Sequence, residues 1–199
     1  HLGTPRLWTM NTRIVVAATP LLLVLGTFYI TALEWSNPAT LGAMPPAQRI
    51  LNGFVLSAQT RTAGFNNVDI GAMDPATWLG MDMLMFIGGG PAGTAGGIKV
   101  TTFAVLAFLM LAELRGAGAV PVFGKRLSRA VHRQALTVIL LAVGLVALST
   151  VTLMIMTPVA LDALRFEVVS ALATVGLSTG STAELPVAGQ LILVVLMIV

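Results

Sequence analysis

The chain has 199 residues, 56% of them hydrophobic and only 10% charged, with a mean hydropathy of +0.92. Soluble domains carry roughly a quarter charged residues, so this balance excludes a water-exposed globule and places the chain in a bilayer. The 11 Lys+Arg and 8 Asp+Glu gather in connections, a topology signal and not a nucleic-acid footprint, and the lack of cysteine excludes a disulfide framework, a thiolate metal site and a cysteine nucleophile.

No acidic or basic residue lies between Arg13 and Glu34 or between Arg133 and Asp162, and both intervals reach the length of about 20 residues that a helical span needs. After a leading segment, 1–13, the first span is expected over 14–33, where Pro20 is tolerated because neighbours re-satisfy the freed carbonyl. A turn-rich connection from Ser36-Asn37-Pro38 to Pro45-Pro46 leads to a mildly apolar stretch, 47–59. Its helical length of about 20 Å is too short to cross the hydrocarbon, which suits a re-entrant helix that descends part way and stops. It stops at Thr62-Ala63-Gly64-Phe65.

The next apolar region, 76–114, is interrupted by Gly88-Gly89-Gly90-Pro91-Ala92-Gly93-Thr94-Ala95-Gly96-Gly97, followed by Ile98 and Lys99. Six glycines and a proline disfavour a continuous helix, so two half-helices joined by irregular backbone are expected. Irregular backbone at membrane depth survives only when buried in protein or lining a water-filled cavity, which makes 88–97 a functional pointer. The loop 115–133 holds Arg115, Lys125, Arg126, Arg129 and Arg133 with no acid; the positive-inside rule makes it cytoplasmic, with segment 1–13, and sets Glu34, Asp69, Asp74, Asp162 and Glu184 at or near the outer side. A second full span is expected over 135–157, a second short helix over 162–173 ending at Thr174-Val175-Gly176-Leu177, and a final apolar run over 187–199 that is too short to span. The chain thus reads as an internal piece of a longer membrane protein that ends inside its last helix.

The pattern repeats. Gly64 and Gly176 are 112 residues apart, and the same offset matches Thr62 with Thr174 and Phe54 with Phe166. Both copies, 14–114 and 134–199, read span, short helix, Thr-x-Gly-apolar, polar turn, second span. Each starts on the inside, so they are parallel repeats about an axis along the membrane normal, and the fold class is all-α integral membrane with two helix/pore-loop/helix repeats, half of a pseudo-fourfold channel-like fold. A re-entrant helix ending at Thr-x-Gly supplies what permeation needs, backbone carbonyls freed to replace the water around a cation. On this reading Thr62, Ala63, Gly64, Phe65, Thr174, Val175, Gly176 and Leu177 form the filter through carbonyls only, with Phe65 and Leu177 packing the loop by their side chains. The loop Gly88 to Gly97, with Lys99 at its exit, reads as a movable obstruction.

The runs Ala58 to Asn66, Gly90 to Lys99 and Phe166 to Gly180 resemble the Trk/Ktr/HKT superfamily of potassium transporters, closest to the KtrB-type membrane subunit. Such proteins carry four repeats, of which this chain resembles the third and fourth, so the first two repeats of the same chain are missing partners. The resemblance implies a plasma-membrane, multi-pass potassium pore with two of its four filter segments here, and 88–97 as the intramembrane loop beneath the filter. It also implies a homodimer, a cytosolic nucleotide-binding regulatory subunit and contact with lipid. No cofactor is expected in this chain; potassium is the transported ion and sodium a candidate coupling or activating ion. Two departures from the family pattern stand out: Gly90-Pro91-Ala92 sits where small or hydroxyl residues are usual, and the chain stops before the arginine of the family's last helix.

The charged residues near these segments carry specific expectations. Lys99 either snorkels to the inner surface or holds the loop. Asp82 is read as a solvated or hydrogen-bonded vestibule residue, Arg61 as paired with Asp69 or Glu167, and Asp162 as the cap of the second short helix. Three rival readings are open. Gly88-x-Gly90-x-x-Gly93, after the strand-like run Met83 to Ile87 and with Glu113 beyond, formally matches a dinucleotide fingerprint, but the uncharged spans deny its soluble context, so no enzyme is expected. A secondary transporter with a discontinuous helix predicts inverted repeats. A non-conducting structural membrane subunit leaves the doubled Thr-x-Gly unexplained.

Overall fold

The computed structural model describes residues 9–91, 96–115, 121–122, 125–126 and 129–198. Ala92 to Ala95 of the glycine-rich loop and positions 116–120, 123–124 and 127–128 of the basic connection lie outside them. The described residues form α1 (Met10–Glu34), α2 (Pro46–Gln59), α3 (Pro75–Phe86), α4 (Val100–Leu114), α5 (Arg129–Met156), α6 (Leu161–Leu172) and α7 (Val187–Ile198), with single 3-10 turns at Ile70–Ala72 and Ser181–Glu184. A two-residue antiparallel ribbon pairs β1 (Pro121–Val122) with β2 (Lys125–Arg126). Two stretches, Asn11–Glu34 and Arg133–Met156, are long and apolar enough to cross a membrane.

The helix ends follow from local chemistry. Thr9 caps α1 by accepting from the Thr12 amide, and Asp74 caps α3 by accepting from the Ala76 amide, with Pro75 at the first position where its missing N–H is not needed. Helix α5 begins before the expected span because its first turns carry Arg129 and Arg133; hydropathy marks the part that matches hydrocarbon, while backbone hydrogen bonds continue past it. The run Met83 to Phe86 is the last turn of α3 and not a strand, which removes the strand that a dinucleotide fold would require.

Small residues let the helices approach. A side chain at Gly26 would collide with Ser57 of α2, and one at Gly53 with Thr31 of α1. The backbones close to the point where the Ser57 hydroxyl donates to the Leu23 carbonyl at 3.1 Å. Gly80 makes room for the Tyr29 ring, whose hydroxyl donates to the Ala76 carbonyl at 2.6 Å, fixing α3 on α1. The core lies where α2, α3 and α6 meet and holds Leu56, Met81, Met85 and Phe166, all fully buried, with the Trp78 ring 6.3 Å from Phe166. Phe54, its counterpart by sequence offset, is 47% exposed. A second cluster, Leu153, Leu164, Val168, Leu193 and Leu196, joins α5, α6 and α7.

Glu34 is the last residue of α1. It is fully buried and accepts from Asn37 Nδ2 at 2.7 Å, the Thr40 hydroxyl at 2.6 Å, the Asp74 amide at 3.0 Å and the Thr77 hydroxyl at 2.5 Å. A buried carboxylate is tolerated only when its lone pairs are filled, and filling them ties the end of α1, the following turn and the start of α3 into one knot.

Candidate functional site

Each short helix ends in the same way. At the end of α2 the Thr60 and Arg61 amides donate to Leu56 and Ala58, and the next residues take left-handed backbone at Thr62 (φ 63°) and Gly64 (φ 75°). At the end of α6 the Ala173, Thr174 and Val175 amides donate to Val169, Ala171 and Ser170, followed by left-handed Thr174 (φ 51°) and Gly176 (φ 84°). Among the described residues these two threonines are the only non-glycine positions with positive φ. A β-branched residue there is strained by about 1–3 kcal/mol and persists only where its surroundings hold it. The two segments meet: a Cβ built on Gly176 would stand 3.0 Å from the Gly64 Cα.

Their surroundings differ. Around the second segment, Val175 and Leu177 are buried while Thr174 and Gly176 are exposed. Ser170 of α6 donates its hydroxyl to the Leu177 carbonyl at 2.6 Å, and the buried Glu167 carboxylate accepts from the Ser178 hydroxyl at 2.7 Å, the Thr179 amide at 2.8 Å and the Thr179 and Thr182 hydroxyls. The Leu177 carbonyl is thereby turned to α6, leaving those of Thr174, Val175 and Gly176 outside this bracing. Around the first segment, the offset puts Val55 and Ala58 where Glu167 and Ser170 stand, and Phe65 is 61% exposed, so its side chain does not pack the loop as Leu177 does. Glu167 is read from the sequence only as a candidate partner of Arg61 and Ser170 is given no role; their signal is two polar residues three apart in the second half of α6, Phe166 to Leu172, whose other residues are apolar.

Other expectations change. Arg61 pairs with neither acid: Asp69 caps the turn at Gly71, Glu167 is filled by its own loop, and the buried Arg61 Nε and Nη2 have no partner among the described residues. Asp162 does not cap α6, because Ala160 holds that position; Asp162 sits in the first turn, where the helix dipole favours it, and meets Arg165 at 3.2 Å. Of the two alternatives for Asp82, solvated or hydrogen-bonded, the structure has the second: Asp82 is buried and Arg165 Nε donates to it at 2.7 Å, joining α3 to α6. Nothing in the offset pattern announced that pair, because its partners lie 83 residues apart.

The described ends of the glycine-rich loop are strapped together. Ile87 and Ile98 form a parallel bridge, with the Gly88 amide donating to Ile98 at 2.8 Å, the Ile98 amide to Phe86 at 3.0 Å and the Val100 amide to Gly89 at 3.1 Å. Gly88, Gly89, Gly90, Pro91, Gly96 and Gly97 are described; Ala92, Gly93, Thr94 and Ala95 are not. Past the undescribed part, the Gly96 amide donates to the Thr174 hydroxyl at 3.1 Å, and a side chain at Gly96 would strike that hydroxyl and the Ala173 carbonyl. The loop exit therefore rests on the second Thr-x-Gly segment, with Lys99 half-buried just beyond it.

Comparison of the sequence with known proteins points to one family. Residues 6–199 match the TrkH family, described as cation transport protein. The chain is 38% identical over 190 residues to the Ktr system potassium uptake protein B of Vibrio alginolyticus, covering 96% of this chain and 42% of that protein. It is 34% identical over 192 residues to the protein of the same name from Bacillus subtilis (strain 168), covering 96% and 43%, and 32% identical over 193 residues to the potassium/sodium uptake protein NtpJ of Enterococcus hirae, covering 95% and 43%. The chain spans about two fifths of the length of these relatives. With a family match over nearly its whole length and an all-helical architecture carrying two long apolar helices, the chain belongs to the TrkH family of membrane cation transport proteins.

Proposed function

We propose that this chain forms half of a potassium uptake pore, in which the cation passes along an axis lined by backbone carbonyls of Thr62 to Gly64 and Thr174 to Gly176. The observation that carries the reading is the matched left-handed pair, Thr62/Gly64 and Thr174/Gly176, at the ends of two short helices whose glycines touch. A left-handed residue at every second position turns consecutive carbonyls to one side, and the free energy spent holding a threonine there is accounted for by a row of oxygens that replaces the hydration shell of an ion. The relatives' names, potassium uptake and potassium/sodium uptake, support potassium as the cargo. Two further parallel repeats complete the ring, an arrangement supported here by the 112-residue offset and by the start of α7 standing 112 residues after that of α3.

The segment Gly88 to Gly97 obstructs the path beneath the filter, supported by the hydrogen bond of its exit to Thr174. The basic connection 115–133 faces the cytoplasm, where a nucleotide-binding regulatory subunit docks on a dimer of the complete protein. The test is Gly176→Ser in the complete protein, assayed for potassium and sodium uptake in cells. The expected result is loss of potassium preference, because the new side chain presses on Gly64; unchanged preference in both this variant and Gly64→Ser removes the filter assignment.

A further inference from the structure

Between α5, the end of α6 and the residues leading into α4 lies a cavity of about 250 Å³, walled by Phe86, Ile98, Thr137, Leu141, Ala142 and Ala173 among others. Its walls are built from three elements of this chain. The lining is almost entirely apolar, and its one hydroxyl, on Thr137, already donates to the Arg133 carbonyl at 2.9 Å. A trapped water needs two to four polar partners, so water is not the stable occupant.

The mouth opens along the outer face of α5, where Val138 is 46% and Leu141 59% exposed, on a helix whose apolar window is only 17% buried. With α5 read as a full span, that exposed apolar face is taken as the one that meets hydrocarbon. The register fits one leaflet: the wall residues Thr137 to Leu145 begin one turn after Arg133 and lie about 6 to 18 Å along the helix from it, against a half-thickness of about 15 Å. A phosphate headgroup beside Arg133 would place its own tail at the cavity mouth.

We propose that the cavity binds one acyl chain of a bilayer glycerophospholipid, with the phosphate near Arg133, and that the bound chain holds the glycine-rich loop in its obstructing position. The second half rests on the reading of that loop as a gate. Its physical basis is the cavity floor: Ile98 and Ala173 are 4% and 2% exposed, each one residue from a left-handed hinge, Gly97 and Thr174, and the Gly96 to Thr174 hydrogen bond lies immediately beyond. A chain filling the cavity packs on both sides of that contact and resists its opening, whereas an empty cavity leaves room for Ile98 to withdraw.

The test uses the complete protein in phosphatidylcholine vesicles whose lipid carries a photoreactive diazirine on the acyl chain, with adducts mapped by mass spectrometry after irradiation. Adducts on Ile98 or Ala173 are expected in the parent and lost in Ala142→Phe, which fills the cavity, while those on outward-facing Leu148 persist. Ala142→Leu serves if the larger substitution prevents folding. Adducts confined to outward-facing residues, or floor adducts that survive the filled cavity, overturn the site. Potassium flux in the filled variant is expected to fall below that of the parent and of Leu148→Phe. Equal flux, with the labelling as expected, overturns the link to the loop and leaves the lipid site standing.

Discussion

Gly64 and Gly176 share a backbone conformation but not an environment, and the difference predicts unequal consequences of one substitution. Alanine at either position adopts left-handed backbone at a cost of about 1–2 kcal/mol. At Gly64 the nearest atom to a new Cβ is the Val175 carbonyl oxygen at 3.9 Å, whereas at Gly176 it is the Gly64 Cα at 3.0 Å. Gly176→Ala should therefore degrade potassium over sodium preference more than Gly64→Ala, measured by competing rubidium and sodium uptake in the complete protein. Ser170 offers a second test at this scale. Replacing it with alanine leaves the Leu177 carbonyl buried without its donor, at a cost of about 1–3 kcal/mol. The expected outcome is a lower midpoint of thermal unfolding in detergent together with weakened ion preference.

Helices α3 and α6 are joined by an ion pair. Asp82 is buried and Arg165 only a quarter exposed, so removing one partner strands the other at a cost of about 3 kcal/mol, the lower end for buried pairs. Asp82→Ala should destabilise the complete protein by about that amount, and the double variant Asp82→Leu/Arg165→Met should recover most of it. Thermal unfolding of the single and double variants decides this, and additive losses would mean that the pair is not coupled. The glycine-rich loop is a different kind of element. Its ends are clamped at Ile87 and Ile98, so shortening it between Pro91 and Gly96 leaves the clamp in place. Deleting Ala92 to Ala95 should raise potassium flux and weaken dependence on a regulator with little change in ion preference; parental flux and regulation in a folded deletion variant would make the segment structural.

Orientation belongs to the whole molecule. The basic connection predicts that a cysteine at Gly118 resists an impermeant thiol reagent in intact cells. The outer probe belongs at Ser36, which is exposed, and not at Asn37, whose amide is tied to Glu34 and the Ala72 carbonyl. Labelling at Ser36 and protection at Gly118 is the expected pattern, and its reverse would invert the topology.

Much at this scale was legible along the chain, because hydrophobic length, glycine content and basic clustering act locally. The uncharged intervals announced a helical membrane chain, and the quoted runs around both Thr-x-Gly segments announced its family. The short helices 47–59 and 162–173 lie against Pro46–Gln59 and Leu161–Leu172, since prolines and terminal glycines punctuate a helix wherever it ends up. Partners of buried polar groups were not legible. Nothing in composition or periodicity tells that Glu167 closes on its own loop, that Arg61 meets neither Asp69 nor Glu167, that Asp82 meets Arg165, or that Gly96 reaches Thr174 across 78 residues. The sequence by itself determined which segments seek hydrocarbon and where backbone must break. Only the tertiary structure decided which donors meet which acceptors, because a buried polar group is satisfied by whatever the packed helices bring within 3 Å or so, a matter of three-dimensional distance that no local pattern encodes.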